Sequence, residues 1–187
     1  EVHPCVTNGG WTVTVPENTS QALNKAMMEA VEFVHAEGWD AAPTLFALVP
    51  TRLLADQLAE PDDAAPLTLV VQELPGHILP GSDELGDYLS RLAWPAEVEG
   101  VVLAQEIVFR EASLADAPAR PARLFSGVLR PEGVELTLLQ LRPTEEELAE
   151  AGAFAEDDIE LRGGPEVAPG VISALRFGLE QDPDPVD

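Results

Sequence analysis

The side chains best suited to nucleophilic or acid–base chemistry are few and widely separated in this sequence. It contains three histidines and one cysteine, Cys5. His77 is the strongest catalytic candidate, because the segment 74–81 is predicted to join a strand to a helix, where functional groups are often presented. An exposed loop histidine without a partner is more often an ordinary surface residue. No Gly-x-Ser-x-Gly motif is present, so the sequence indicates no activated serine nucleophile.

Asp40 is the carboxylate most suited to general acid–base chemistry. Such catalysis needs a carboxyl group that is held away from water in a cleft, and surface abundance predicts no such setting. Trp39, the neighbouring residue, could shield Asp40 from solvent. The competing and favoured interpretation is structural, since an aspartate in a turn after a helix commonly accepts hydrogen bonds from backbone amides.

A dense acidic stretch near the C-terminus is the candidate for cation binding. Calcium or magnesium could be attracted to it, but the chain has no His-Glu-x-x-His, paired-cysteine or calcium-loop spacing. Because charge runs are usually solvated surface, a wet acidic loop is the favoured interpretation. The segment 162–164 lacks both the Walker lysine and the dinucleotide glycine spacing, so we predict neither a cofactor nor a metal. The stretch consists of Glu156, Asp157, Asp158 and Glu160.

The charge balance is strongly negative, with 34 acidic against 10 basic residues and a formal net charge of −24. Such a field repels nucleic-acid phosphates and anionic lipid headgroups, and it attracts cations and basic proteins. We therefore predict no nucleic-acid binding and no membrane association. A protein partner, particularly a basic one, fits the charge, although solubility alone is a sufficient alternative explanation. The oligomeric state stays open.

Cysteine usage and hydropathy favour a cytoplasmic protein. A single cysteine allows no internal disulfide, which suits a reducing compartment. No apolar run approaches the roughly 20 residues that a membrane-spanning helix needs. Residues 1–18 also lack the basic start and apolar middle of a signal peptide.

Hydrophobic periodicity and turn signals predict an α+β fold with a largely antiparallel sheet of about five strands flanked by helices. The predicted strands are 45–49, 67–74, 98–111, 124–130 and 134–142. The predicted helices are 19–37, 52–58, 82–94, 145–151 and 167–179. The last three strands follow one another without room for a crossover helix, which requires antiparallel pairing.

The predicted domain organisation is simple. Residues 19–180 should form one α+β domain, since the length suits a single core. Residues 1–18 are predicted to form a hairpin-like extension, with Asn18 capping the first helix. Residues 181–187 have no apolar face and are predicted to be a disordered acidic tail.

Three short motifs in this order resemble an uncharacterised family of small acidic actinobacterial proteins. They are Gly38-Trp39-Asp40 with Pro43 and 45–49, Trp94-Pro95 with Val98 and Gly100, and Gly164-Pro165 with Val167, Pro169-Gly170 and Ala174-Leu175. The resemblance covers about residues 20–180. It implies a bacterial cytoplasmic origin and brings no catalytic residues with it.

Three functional hypotheses follow. The leading one is a non-enzymatic protein-binding or adaptor module, based on the missing catalytic motifs and the negative charge. The second is a hydrolase or metal-assisted enzyme centred on His77 and nearby carboxylates, which requires those groups to converge in a cleft. The third is a nucleic-acid mimic whose carboxylates occupy the groove of a basic protein.

Overall fold

The computed structural model describes seven segments of the chain. They are residues 19–54, 66–80, 82–110, 119–131, 133–151, 161–163 and 169–180. The predicted N-terminal hairpin 1–18 and acidic tail 181–187 lie outside the described residues. So does the acidic stretch 156–160, with all four of its cation-binding candidates.

The described elements are four α-helices, one 3₁₀ helix and six strands. In chain order they are α1 (Ser20–Glu37), β1 (Thr44–Pro50), a 3₁₀ helix (Thr51–Leu54), β2 (Leu67–Gln72), α2 (Asp83–Arg91), β3 (Gly100–Phe109), β4 (Arg120–Leu129), β5 (Glu135–Leu141), α3 (Glu145–Ala151), β6 (Arg162–Gly163) and α4 (Pro169–Glu180). Runs of branched and aromatic residues form the central strands, because such side chains pack well on a pleated surface.

All six described strands form one antiparallel sheet in the order β2-β1-β3-β4-β5-β6. The predicted α+β class and the antiparallel run from β3 to β5 are confirmed. The sixth strand, β6, was not predicted. It has only two residues and joins the sheet by pairing with Leu138 and Leu139 of β5, so its own sequence carries no strand periodicity.

Helix α1 covers one face of the sheet. Its buried stripe of Leu23, Met27 and Val31 packs in a single cluster with alternate strand residues such as Phe46 and Phe125. Alternation follows from the pleat, which points successive side chains to opposite faces. The helix ends at Gly38, whose φ of 90° suits a residue without a Cβ.

Helices α2 and α4 cover the opposite face. Leu85 and Leu89 of α2 pack with Leu175 of α4 and with Leu45 and Leu103 of the strands. Because helices lie on both faces, β1 and β3 are buried on both sides. This explains why they appear in the sequence as continuous apolar runs and not as alternating ones.

The structure corrects the predicted start of β4 and the predicted cap of α1. Strand β4 begins at Arg120 and not at residue 124, because its ladder with β3 continues through Pro121, which pairs with Val108. Proline is tolerated there since it lies near the start of the strand. The cap of α1 is Thr19, whose Oγ1 accepts from the Ala22 amide at 3.2 Å, and not Asn18. Of the short helix predicted at 52–58, the described part belongs to a 3₁₀ helix, Thr51–Leu54, and the remainder lies outside the described residues.

Candidate functional site

A row of polar side chains crosses three strands on the face of the sheet that α1 covers. Arg123 of β4 is in register with Glu106 of β3 on one side and with Gln140 of β5 on the other. Residues paired across neighbouring strands share a face, so the three side chains lie next to one another. Arg123 and Gln140 are buried, and Glu106 is half-buried. We call Arg123 and its contacts the Arg123 site.

The turn after α1 closes this site. Gly38 bonds through its amide to Val34 O at 3.2 Å, and the chain then reverses through Asp40, whose φ is 66°. The next amide, of Ala41, donates to Oε2 of Glu106 at 2.6 Å. This bond ties the turn to the sheet and places Trp39 over the polar row.

Arg123 lies directly beneath Trp39. Its Cζ is 4.0 Å from the centroid of the indole ring, within cation–π range, and its side chain is 1% exposed. Nη1 donates to Oε1 of Gln140 at 3.2 Å. Burial lowers the pKa of Arg123, the negative charge of Glu106 acts in the opposite direction, and the positive charge of Arg142 lowers the pKa further.

Two nitrogens of this buried guanidinium are unsatisfied. Nε and Nη2 of Arg123 have no hydrogen-bond acceptor among the residues that the structure describes. Buried polar groups are nearly always paired, and a buried charge without full pairing is costly. The Arg123 site is therefore the chemically most unusual position in the described part of the chain.

A second arginine completes the site at its exposed rim. Arg142 lies 5.3 Å from the ring centroid of Trp39 and binds Asp40 through two contacts, of 3.0 and 3.3 Å. The hydrogen bond to Asp40 is the main cause of the raised pKa of Arg142. Asp40 itself is 76% exposed, so Trp39 does not shield it from water. Its carboxylate serves as an ion-pair partner, and Glu106, not Asp40, binds the turn amide of Ala41.

This arrangement predicts a modest role for Asp40. Asp40→Asn should lower the free energy of unfolding by only about 0.5 kcal/mol, because exposed ion pairs contribute little. Asp40→Ala should cost more, about 1 to 2 kcal/mol, since alanine tolerates the positive φ less well than asparagine. Chemical denaturation of the two variants checks this order. Equal losses would contradict the backbone explanation.

The structure places the other catalytic candidate elsewhere. His77 precedes α2, and its Nε2 lies 3.0 Å from Oε1 of Glu84 in the first turn of that helix. The two side chains are 70% and 57% exposed. His77 therefore sits on the α2 side of the sheet, whereas Asp40 lies on the α1 side, and the fold does not bring them together.

Two further findings concern metals and membranes. Within the described segments, no three His, Cys, Asp or Glu side chains are grouped so that they could hold a metal ion. The helices that the structure describes are too short or too polar to cross a bilayer.

Three further arginines stabilise the fold. Arg130 donates to four carbonyls, those of Val98, Leu179, Trp94 and Pro95, at 2.5–3.3 Å. Arg176 reaches the carbonyls at the end of β4 and also Glu135, 3.3 Å away. Arg120 bridges Arg142 O and Glu147. The guanidinium groups of these three arginines are engaged in contacts within the fold.

Carboxylates, in contrast, face the solvent on the helices. Glu145, Glu146 and Glu150 of α3 are exposed, and α2 presents Asp83 and Asp87 in the same way. Helices α2 and α3 thus present mainly negative charge to the solvent.

Arg123 was not among the predicted site residues. It lies just before the predicted strand 124–130, where a single arginine carries no motif. One signal was available: Arg123 occupies the same alternate positions as Phe125 and Leu129, which are the inward residues of the strand.

Comparison with known proteins gives a family but no individual relative. No curated protein and no solved structure matches the chain significantly. A family model described as PPA1309-like protein matches residues 23–180, a range that begins in α1, contains the whole Arg123 site and ends with α4. The match spans most of the sequence and confirms the predicted resemblance to an uncharacterised family. The chain belongs to the PPA1309-like protein family.

Proposed function

We propose that this chain is a non-enzymatic, cytoplasmic protein-binding module whose acidic surface recruits a basic protein. The observation that carries the proposal is the separation of charge. Four arginines, Arg120, Arg123, Arg130 and Arg176, make their contacts within the fold, while carboxylates of α2 and α3 face water.

The positions of the basic residues support this proposal. Of the 10 basic residues, four are arginines whose guanidinium groups make contacts within the fold: Arg120, Arg123, Arg130 and Arg176. Their charges lie close to carbonyls, to an indole ring or to paired carboxylates, so they offset little of the outward field. A one-signed field of this kind raises the rate of encounter with an oppositely charged protein.

Helix α3 is the element best placed to meet the partner. Its sequence EEELAEA places exposed carboxylates at Glu145, Glu146 and Glu150, and the helix is fixed to the sheet by the contact of Glu147 with Arg120 at 3.1 Å. A rigid support lowers the entropy lost on binding. We therefore assign recruitment to the face of α3 that these three glutamates form.

The experiment uses the chain as bait in extracts of its native organism. We expect a basic protein to be retained at low salt and released as ionic strength rises, because screening shortens the range of the field. The triple variant Glu145→Gln/Glu146→Gln/Glu150→Gln should slow association of the purified partner about tenfold. Surface plasmon resonance measures the association rate.

The matched control removes the same number of charges elsewhere. Glu32→Gln/Asp87→Asn/Glu97→Gln changes exposed carboxylates outside α3 and should slow association much less. Equal slowing by both variants would contradict a role of α3 and leave only a general charge effect. Displacement of the partner by duplex DNA would indicate nucleic-acid mimicry. Absence of any salt-sensitive partner would refute the proposal.

A further inference from the structure

We infer that the Arg123 site binds a small carboxylate, and that Nε and Nη2 of Arg123 are the donors. This goes beyond the proposed function, since neither the acidic surface nor helix α3 takes part. The two sites lie on different elements, so either proposal can fail alone.

The identity of the unsatisfied nitrogens is the first argument. Nη1 is occupied by Gln140, and the nitrogens without an acceptor among the described residues are Nε and Nη2. These two form the side edge of the guanidinium, where their N–H bonds run parallel. The two oxygens of a carboxylate fit this edge as a bidentate pair, which is the strongest arrangement that arginine makes.

The burial of Arg123 is the second argument. With 1% exposure, its charge gains little from water. Trp39 contacts the guanidinium through its ring, and that contact leaves the in-plane donors unused. Glu106 is the nearest counter-charge in register, but one of its oxygens already accepts from Ala41. An added anion would satisfy donors that the described residues leave open.

The charges and side chains around Arg123 indicate which class of anion can bind. Glu106 and Asp40 are negative, and the net charge of −24 disfavours a doubly charged phosphate more than a singly charged carboxylate. Trp39 covers the guanidinium, so a ligand must be small or must displace the turn that carries the indole. Formate and acetate are the appropriate probes.

Nuclear magnetic resonance spectroscopy can observe the side chain of Arg123 directly. The chain has nine arginines, and each contributes one Nε–Hε cross-peak to a nitrogen–proton correlation spectrum. On titration with sodium formate or acetate at constant ionic strength, we expect the peak of Arg123 to move downfield and to saturate. The peak is assigned as the one that disappears in Arg123→Lys. Sodium chloride and sodium sulfate at equal ionic strength should leave it unmoved.

Thermal stability offers a readout that needs no variant. A ligand that binds the folded state raises the Tm in proportion to its occupancy, so formate should raise it more than chloride at matched ionic strength. In Arg123→Lys this carboxylate-specific increment should disappear and the affinity should fall about tenfold or more, because an ammonium cannot form the bidentate pair. The control Arg91→Lys alters an exposed arginine in the last turn of α2, outside the Arg123 site, and should retain the response.

Three outcomes would overturn the inference. A linear, unsaturated shift of the Arg123 peak would mean that no site exists. An equal response to chloride would mean an adventitious ion only. An unchanged Tm increment in Arg123→Lys would mean that the carboxylate binds elsewhere.

Discussion

Replacing Arg130 with alanine should lower the free energy of unfolding by about 3 to 4 kcal/mol, one of the two largest losses that we expect from a single substitution. Arg130 donates to the carbonyls of Val98, Leu179, Trp94 and Pro95. It thereby joins the end of β4 to the loop before β3 and to the last turn of α4. Removing it leaves several partly buried acceptors unpaired at once, and each such group costs about 1 to 3 kcal/mol when water cannot replace the donor.

Denaturant titration followed by circular dichroism measures the effect. Arg91→Ala is the matched control, because Arg91 is exposed in the last turn of α2, and its loss should stay below about 1 kcal/mol. Arg130→Lys should fall between the two, since one ammonium cannot span all four carbonyls. Similar losses for Arg130→Ala and Arg91→Ala would show that the contacts of Arg130 make no net contribution to the free energy of unfolding.

Gly100→Ala is expected to cost about 3 kcal/mol or more, because a Cβ at this position has no room. It would overlap the carbonyl oxygen of Val128 and Cδ2 of Leu129. Gly100 opens β3 and pairs with Leu48 of β1 as well as Leu129 of β4, so strands on both sides hold its backbone. Relief would require the sheet to shift, which a flexible side chain alone cannot provide.

A glycine in open space serves as the opposite control. Gly86 lies in the interior of α2, and a Cβ there would meet nothing within 4 Å. Gly86→Ala should therefore raise the free energy of unfolding by about 0.5 to 1 kcal/mol, since glycine is a poor helix former. Thermal and denaturant unfolding of both variants give the comparison. A stabilised Gly100→Ala protein would contradict the packing of β3 against β4.

Much of the fold was predictable because it depends on local patterns. The stripe of α1 repeats at helical spacing, Gly38 ends the helix, and Ser82 caps α2 by accepting from the Leu85 amide at 3.2 Å. The β4–β5 hairpin followed from its turn, in which Gly133 has a φ of 82°. Caps, turns and periodicities act over a few residues, so the order of letters is sufficient to reveal them.

The candidate site was not predictable to the same extent. His77 and Asp40 were chosen from their neighbours in sequence, and each has an exposed partner that the local sequence does not specify. Asp40 pairs with Arg142, and the pairing depends on where β5 ends relative to α1. Arg123 was not predicted, because its one sequence signal, the alternate spacing that it shares with Phe125 and Leu129, does not by itself mark a charged residue as buried.

The amino-acid order alone was enough to establish an α+β chain with consecutive antiparallel strands and a large excess of carboxylates, because periodicity and charge counts need no knowledge of distant contacts. The burial of Arg123 beneath Trp39 is different. It requires α1 to pack on the sheet so that the Gly38-Trp39-Asp40 turn meets the ends of β3, β4 and β5. Packing between segments that are distant in the sequence brings these residues together. Only the folded structure therefore reveals that the guanidinium of Arg123 has two nitrogens without an acceptor among the described residues.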